Sequence, residues 1–191
     1  MVIDPSRGWD AVAQEFIALR SDNGADVVRR WATLLHPGGA VVDIGCGSGA
    51  PVSVVLAERG LAVFGTDASP ALLAEYSRRF PSAETACEAA ESSRFFNRSF
   101  DGAVAVGLLF LLPADSQRQV IEGVARALTP GGRFLFSAPR QVCEWTDGLT
   151  GGASVSLGEE AYQRVLEAAG MRLTDSYVDE GDNHYYDAVR L

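Results

Sequence analysis

The sequence predicts an α/β fold, with a doubly wound sheet of seven mostly parallel strands in a single domain. Short apolar runs alternate with longer segments of helical periodicity from residue 40 to residue 178. A glycine-rich turn at 43–49 joins the first apolar run to a helical segment. The last segment, 184–191, alternates directly after a short turn, which is typical of an antiparallel hairpin. With 191 residues the chain is long enough for one substantial core.

The N-terminal part, residues 1–36, is expected to form helices ahead of the sheet. Apolar residues recur at near-helical spacing from Trp9 to Leu19, and the polar run 21–24 interrupts them. A second helix should follow and end at His36, where Pro-Gly-Gly leads into the first strand. The sheet-containing core is therefore expected over 37–191.

The turn at 43–49 reads Asp-Ile-Gly-Cys-Gly-Ser-Gly and stands between a strand that starts at Ala40 and a helix over 52–59. Glycines there let the backbone bend sharply and let a ligand lie against bare main chain. The free N–H groups at the start of the helix favour an anionic or polar ligand. The sequence therefore predicts a binding site at this turn.

The second strand, over 61–66, ends at Asp67. An acidic side chain at this point can accept hydrogen bonds from both hydroxyls of a ribose. Together with the glycine turn it predicts an adenosine-type ligand at the carboxyl edge of a parallel sheet. Gly45, Gly47 and Ala50 also fit the dinucleotide fingerprint, which allows alanine at its last position.

The second helix of the core should begin at Ser69 and Pro70, which suit the N-cap and the first helical position. It should end near Arg79, ahead of a short third strand over 83–87. The alternation of helix and strand thus continues past Asp67, as a doubly wound sheet requires.

The fourth strand is expected over 102–106, with Asp101 at the edge away from the ligand and Gly107 at the ligand edge. Gly107 there allows close approach of the backbone to a ligand. A helix over 115–128 should end at Pro-Gly-Gly, ahead of a fifth strand over 133–138.

Residues 140–157 form a stretch that is long for a connection between a strand and a helix, so we expect a loop that carries specificity. A helix over 159–169 and a strand over 171–178 follow. That strand should run parallel to the others and end at the ligand edge. The turn after it then brings His184 and Tyr185 beside the site, whereas His36 should lie at the opposite edge.

Three blocks carry a family resemblance: Asp-x-Gly-x-Gly-x-Gly at 43–49, Ser-Phe-Asp-Gly-Ala-Val-Ala-Val at 99–106 and Leu-Thr-Pro-Gly-Gly-Arg-Phe-Leu-Phe at 128–136. In this order and spacing the chain, from about Trp9 to its C-terminus, resembles the class I S-adenosylmethionine-dependent methyltransferases, especially the small-molecule branch near the "methyltransferase domain 11" type. The resemblance implies a Rossmann-like sheet, S-adenosyl-L-methionine as cofactor, S-adenosyl-L-homocysteine as product, and no metal.

The resemblance also implies roles for individual segments. Residues 1–36 would form a partial lid over the cofactor, 140–157 the acceptor-side loop, and Glu88 with Ala89 the adenine contact. The whole expected cofactor-binding set is Asp43, Gly45, Cys46, Gly47, Gly49, Asp67, Ala68, Glu88, Ala89, Val106, Gly107 and Arg20.

Methyl transfer needs the nucleophile, methyl group and sulfur in line, exclusion of water, and removal of a proton where the acceptor carries one. His184 is the candidate base, with Tyr185 as a hydrogen-bonding neighbour. Structural roles remain open for several of these residues: Asp43 as an orienting group for the glycine turn, Glu88 as a cap, Arg20 as a solvated side chain, and His184 as a residue bonded within the sheet end.

The expected function is methyl transfer to a small-molecule acceptor. One alternative is an oxidoreductase that uses a nicotinamide dinucleotide, NAD(P), and the final hairpin argues against it because the all-parallel dinucleotide folds lack such a hairpin. The other is a non-catalytic module that binds the cofactor and transfers nothing.

Composition limits the partners. A net charge of −9 and a sequence pI of about 4.7 disfavour nucleic acid as acceptor. Cys46, Cys87 and Cys143 are widely spaced, which favours neither a disulfide framework nor a zinc site. No apolar run reaches the roughly 18 residues of a membrane span, and the first residues lack a signal-peptide pattern. We expect a cytoplasmic monomer or homodimer.

Overall fold

The computed structural model describes residues 4–191, so the first three residues of the expected lid lie outside the described part. The helices are α1 (Ala13–Leu19), α2 (Ala25–Ala32), α3 (Val52–Glu58), α4 (Pro70–Arg79), α5 (Ala114–Ala127) and α6 (Glu159–Ala168). The strands are β1 (Ala40–Ile44), β2 (Ala62–Asp67), β3 (Thr85–Cys87), β4 (Phe100–Ala105), β5 (Leu128–Ser137), β6 (Cys143–Thr146), β7 (Ala153–Ser156), β8 (Met171–Val178) and β9 (His184–Arg190).

Seven of these strands form one sheet in the order β3-β2-β1-β4-β5-β9-β8. The first five of that order pair in parallel, and β9 pairs antiparallel with both β5 and β8. The predicted doubly wound, mostly parallel sheet with an antiparallel C-terminal hairpin is confirmed. No helix among residues 4–191 has the length and apolar character that crossing a bilayer requires.

The core lies on both faces of the sheet, because side chains along a strand alternate between faces. In β5, Phe134 and Phe136 point to the face covered by α5 and α6, and Leu135 points to the face covered by α2 and α3. Trp31 of α2 is fully buried against that second face. Side-chain packing on both faces therefore holds the sheet in a fixed position between the helices.

A buried carboxylate ties α2 to the C-terminal strand. Asp187 is fully buried and accepts hydrogen bonds from Arg133 Nη2 at 2.5 Å and from Trp31 Nε1 at 3.1 Å. Burial raises the pKa of Asp187, and the hydrogen bonds from Arg133 and Trp31 act in the opposite direction. This paired charge fixes β9 beside β5.

The amino edge of the sheet holds Asp101 and His36, as the sequence predicts. The amide of Ala40 donates to Asp101 Oδ2 at 2.8 Å, and His36 Nε2 lies 3.1 Å from Asp101 Oδ1. The predicted N-cap is also present, since the amide of Leu72 donates to Ser69 Oγ at 3.2 Å. These three predictions concern local chain geometry, which the sequence pattern specifies.

The predicted starts of two elements were wrong. Helix α1 begins at Ala13 rather than near Trp9, because Asp4 accepts hydrogen bonds from the amides of residues 6 and 8 and closes a turn with positive φ at Arg7 and Gly8. Strand β5 begins at Leu128 rather than at Arg133, because Leu128 pairs with Phe100 before the register shifts.

The stretch 140–157 is not an irregular loop throughout. It contains a β-hairpin in which β6 and β7 pair antiparallel, with Cys143 opposite Ser156 and Trp145 opposite Ser154. The bend between the two strands is closed by Asp147, whose carboxylate accepts from the amides of residues 149 and 150 at 3.1 and 2.7 Å. The hairpin holds Trp145 in a defined place beside the sheet.

Candidate active site

A first cleft opens at the carboxyl ends of β1, β2 and β4. Its volume, including the part that is open to solvent, is about 790 Å³. It lies under a strap, the N-terminal segment 4–20, which contributes Trp9 and Phe16 to the lining. Nine of the expected cofactor-binding residues line this cleft: Gly45, Gly47, Asp67, Ala68, Glu88, Ala89, Val106, Gly107 and Arg20.

The glycine turn forms the floor of this cleft. Gly45 and Gly47 have φ values of +67° and +54°, which L side chains rarely adopt. A Cβ on Gly45 would lie 2.9 Å from Leu108 Cδ1, and one on Gly47 would lie 3.2 Å from Phe16 Cε1. The turn therefore needs glycine both for its backbone conformation and for the close packing above it.

Asp67 stands at the end of β2 and faces the cleft. Its carboxylate accepts from the amide of Gly47 at 2.9 Å and from the amide of Ser69 at 2.8 Å. Burial raises the pKa of Asp67, and these hydrogen bonds act in the opposite direction. An ionised carboxylate accepts about four hydrogen bonds. Asp67 can therefore still accept from two hydroxyls of a ligand.

The end of β3 supplies Glu88 and Ala89 to the cleft wall beside Asp67. Glu88 Oε1 accepts from Ser93 Oγ at 2.5 Å, and the Glu88 amide donates to the Asp67 carbonyl at 3.0 Å. Neither bond turns Glu88 away from the cleft that it lines. The carboxylate of Glu88 and the carboxylate of Asp67 thus lie on neighbouring strand ends at one side of the cleft.

Three expected residues, Asp43, Cys46 and Gly49, do not line the cleft. Asp43 accepts from Ser53 Oγ at 2.7 Å, and that hydroxyl lies 3.0 Å from the hydroxyl of Tyr76. Burial raises the pKa of Asp43 to about 7. The observed side-chain bond therefore joins the end of β1 to Ser53 of α3.

The other two residues pack against the same side of the turn. Cys46 lies in a small buried cluster with Leu73 and Tyr76. A Cβ on Gly49 would lie 2.5 Å from Phe80 Cε2. Cys46 and Gly49 therefore make their contacts on the side of the turn that faces away from the cleft.

The strap is fastened by two contacts that the sequence pattern does not predict. Asp10 Oδ1 accepts from Ser69 Oγ at 2.7 Å and from the amide of Ala71 at 2.9 Å, at the start of α4. Arg7 Nη2 lies 2.7 Å from Glu91 Oε1, beyond β3. The partners are 59 and 84 residues apart in the chain, so no local signal could indicate them.

Within the strap, Trp9 packs edge-on against Phe16, with ring centroids 5.4 Å apart. Phe16 in turn lies over Gly47. Phe16 of α1, with Trp9 packed against it, therefore covers the glycine turn.

A second cleft adjoins the first, and the two share Arg20, Val106 and Gly107. The second cleft is bounded by Phe110, by Trp145 of the hairpin, and by the turn between β8 and β9. Arg20 stands at the junction, where its Nε donates to the Ala50 carbonyl at 3.2 Å. A molecule in either cleft thus has access to the other at these three residues.

His184 lines the second cleft from the start of β9. His184 is only 8% exposed to solvent. Both of its ring nitrogens are buried without a hydrogen-bond partner among residues 4–191. Burial lowers the pKa of His184, Arg140 lowers it further, and Glu159 opposes both effects. A neutral imidazole with unused nitrogens in a cleft wall is a suitable hydrogen-bond or proton acceptor.

Tyr185 also lines the second cleft, but its hydroxyl is already used. It donates to Asp179 Oδ2 at 2.9 Å, and it lies so close to Gly24 that a Cβ there would collide with it. Burial raises the pKa of Tyr185, and the neighbouring Asp179 adds to that effect. Tyr185 therefore holds the turn of 179–183 against the start of α2. Among the described residues no three His, Cys, Asp or Glu side chains cluster as a metal site.

Comparisons with known proteins agree with this geometry. Residues 41–132 match a family model described as "Methyltransferase domain". A curated relative, an uncharacterized methyltransferase of Synechocystis sp., is 36% identical over 112 residues, which are 58% of this chain and 52% of that protein. The chain thus aligns with about half the length of this relative.

Solved structures share the fold at low sequence identity. The CcbJ methyltransferase of Streptomyces caelestis matches with a TM-score of 0.77 and 16% identity over 98% of both chains. The 1,6-didemethyltoxoflavin-N1-methyltransferase of Burkholderia thailandensis, solved with 1,6-didemethyltoxoflavin and S-adenosylhomocysteine, matches with a TM-score of 0.70 and 19% identity over 100% of this chain and 92% of that one. Residues 41–132 thus match a methyltransferase domain, and the chain shares the fold of solved methyltransferases over nearly its whole length.

Proposed function

We propose that this protein transfers a methyl group from S-adenosylmethionine to a small-molecule acceptor. The observation that carries this proposal is the junction of the two clefts at Arg20, Val106 and Gly107. A cofactor in the first cleft and an acceptor in the second would meet there. Such an arrangement supports in-line transfer, which depends mainly on holding two reactants in position.

The residues of the first cleft fit an adenosine-type cofactor. Asp67 keeps acceptor capacity for ribose hydroxyls, and Thr66 beside it has a buried hydroxyl without a partner among residues 4–191. Glu88 and Ala89 would contact adenine, and Arg20 the carboxylate of the methionine portion. When bound, S-adenosylmethionine supplies an electrophilic methyl group on its sulfonium.

His184 would accept the proton that the acceptor loses on methylation. Its depressed pKa keeps the imidazole neutral at pH 7, so it is available as a base. Each ring nitrogen now exposes less than 1 Å². The ring must therefore turn toward the cleft when the acceptor binds. Tyr185 would act by positioning the adjacent turn through Asp179.

The dinucleotide alternative is disfavoured by the sheet. Strand β9 runs antiparallel between β5 and β8, whereas a dinucleotide fold of the all-parallel type has no such strand. The matches to a methyltransferase domain and to other methyltransferases support methyl transfer as well. The non-catalytic module differs from the enzyme in turnover and not in fold, so activity decides between them.

The remaining proposals concern the class of acceptor, the compartment and the oligomeric state. We infer a small-molecule acceptor rather than nucleic acid, because the net charge is −9. We also propose a cytoplasmic protein that acts as a monomer or homodimer.

The first test is a calorimetric titration of the purified protein with S-adenosylmethionine, S-adenosylhomocysteine and NAD, side by side. We expect the first two to bind and NAD not to bind. Binding of NAD alone would overturn the proposal. Binding of the cofactor with no S-adenosylhomocysteine formed from any hydroxy, amino or thiol acceptor would favour the non-catalytic module.

The role of His184 is tested by His184→Gln, which keeps a polar side chain of similar reach. We expect turnover to fall by about 10²–10⁴-fold, the usual contribution of a general base, with affinity for S-adenosylhomocysteine nearly unchanged. Turnover equal to that of the natural protein would remove His184 from the mechanism.

A further inference from the structure

We infer that the second cleft binds a neutral, planar aromatic acceptor that carries a weakly acidic O–H or ring N–H. This inference rests on the proposed methyl transfer and narrows its acceptor. Four properties of the second cleft carry it: an aromatic wall, an open floor, exposed apolar side chains in its lining and the absence of a free cation for an anionic acceptor.

The aromatic wall is formed by Phe110 and Trp145. Their ring centroids are 5.3 Å apart at an interplanar angle of 42°, and Trp145 keeps 37% of its surface exposed. Aromatic faces of this kind bind another flat ring by offset or edge contacts. The hairpin of β6 and β7 fixes Trp145 in place, so the wall is formed before a ligand arrives.

The floor beside this wall is open. Gly107 has a φ of +75°, and a Cβ built there would meet no heavy atom within 4 Å. Its amide donates to Ser137 Oγ at 2.8 Å, which fixes the backbone. A flat molecule therefore has room to lie over Gly107 at the junction with the first cleft.

Two apolar side chains that line the cleft are also exposed. Val178 has 57% of its surface exposed, and Trp145 of the hairpin has 37%. Exposed apolar side chains grouped around a cleft are typical of a site for an apolar ligand.

The two arginines that line the second cleft offer no free partner to an anionic acceptor. Arg140 donates to Glu159 Oε2 from Nε at 2.9 Å and from Nη2 at 2.6 Å. Arg20 stands at the junction, where the proposed cofactor has its carboxylate. The third charged lining residue, Asp182, is exposed on the turn between β8 and β9 and would repel an anion. An uncharged acceptor matches these contacts, because an anionic one would be desolvated without an ion-pair partner.

His184 selects for an acceptor with a removable proton. In the transfer, the acceptor oxygen or nitrogen forms a bond to the methyl carbon, the bond from that carbon to sulfur breaks, and its electron pair stays on the sulfur. The proton of the acceptor passes to the neutral imidazole of His184. A phenol ionises near pH 10, as tyrosine does, so it benefits from a base whereas an already ionised nucleophile would not.

The experiment is a calorimetric titration of the protein saturated with S-adenosylhomocysteine. The probes are 2-naphthol with an aromatic O–H, 1H-indazole with a ring N–H, and decahydro-2-naphthol, which keeps the hydroxyl without the flat ring. We expect at least one aromatic probe to bind about tenfold or more tighter than decahydro-2-naphthol. With S-adenosylmethionine, mass analysis of the product then shows whether oxygen or nitrogen receives the methyl group.

Variants of Trp145 provide the matched control. Trp145→Leu keeps an apolar side chain but removes the ring, so affinity for the bound aromatic probe should fall by about 2- to 12-fold, the range expected for a lost aromatic pair. Trp145→Phe should restore most of that affinity. Circular dichroism verifies that both variants are folded.

The two proposals fail in different ways. If S-adenosylhomocysteine binds but no aromatic probe does, or if decahydro-2-naphthol binds equally well, the aromatic inference is wrong and the proposed function stands. If neither S-adenosylmethionine nor S-adenosylhomocysteine binds, the proposed function is wrong and this inference falls with it.

Discussion

Asp67 combines two tasks at one residue, because its carboxylate closes the glycine turn and faces the first cleft. We expect Asp67→Asn to weaken binding of S-adenosylhomocysteine by about 1–3 kcal/mol, the loss of charge-assisted hydrogen bonds. Calorimetric titration measures it. The variant should also melt earlier, since an amide oxygen replaces a carboxylate that accepts from the amides of Gly47 and Ser69. Affinity within twofold of the natural protein would remove Asp67 from the site.

Asp43 gives a prediction on stability rather than binding. Its pKa is raised from 3.8 to about 7 by burial, so the folded state resists ionisation of a carboxyl that ionises freely when unfolded. The free energy of unfolding should therefore fall as the pH rises from about 4 to about 7. Asp43→Asn lacks this dependence, and its stability relative to the natural protein should improve by about 2–3 kcal/mol between pH 5 and pH 8.

Urea unfolding at both pH values checks this effect. Asp22→Asn is the matched control, because Asp22 is an exposed carboxylate. An equal pH dependence in the Asp43 variant and the natural protein would show that Asp43 is ionised in the folded state.

At the residue scale, sequence reasoning succeeded where a role depends on neighbours in the chain. Gly45 and Gly47 were predicted from the turn that they form, and both line the cleft. Arg7 and Asp10 were missed, because their partners lie 84 and 59 residues away. Asp43 was expected among the cofactor ligands, and only the fold shows its carboxylate bonded to Ser53.

At the scale of the elements, the strap covers the first cleft. Its polar contacts at Asp10 and Arg7 lie near the surface. We expect Asp10→Ala to speed dissociation of S-adenosylhomocysteine severalfold, because the start of α4 loses its bond to the strap. Stopped-flow displacement measures that rate.

Asp22→Ala serves as the control for the strap, since it removes a nearby exposed carboxylate of the same charge. The two variants should therefore differ in dissociation rate. Equal rates would mean that the contact at α4 does not limit release from the cleft.

The hairpin of β6 and β7 was not predicted from the sequence pattern. Its strands have four residues each, and they pair only with each other. Segments of that length carry too little periodicity to separate strand from loop. By contrast, β8 was predicted with its observed limits, because it follows a helix that ends at Gly170 and is closed by a turn.

For the whole molecule, the net charge of −9 leads to a prediction about nucleic acid. We expect no binding of a duplex DNA or a single-stranded RNA at 150 mM salt, with a dissociation constant weaker than about 10⁻⁴ M, the weak limit of non-specific binding. Fluorescence anisotropy measures it. Arg94, Arg98 and Arg126 do line one shallow groove. Binding in the micromolar range would show that this local cluster outweighs the total charge.

The mostly parallel sheet with its final antiparallel hairpin was predictable because few topologies satisfy the handedness and connection rules of parallel sheets. Those rules also brought His184 to the correct edge of the sheet, seven residues before the last residue of the sequence. What they do not give is how the strap, the hairpin and the final turn close over that edge. That closure depends on side-chain contacts between distant segments, such as Tyr185 with Asp179 and Gly24.

The position of β9 has a consequence for biosynthesis. This strand lies inside the sheet, between β5 and β8, although it is translated after every other strand of the sheet. The lining of the first cleft is complete in the chain by Leu112, whereas the second cleft needs residues up to Tyr185. A ribosome therefore produces the lining of the first cleft well before the last residues of the second cleft. During that interval β5 has an unpaired edge, and an edge of this kind can pair with another chain and promote aggregation.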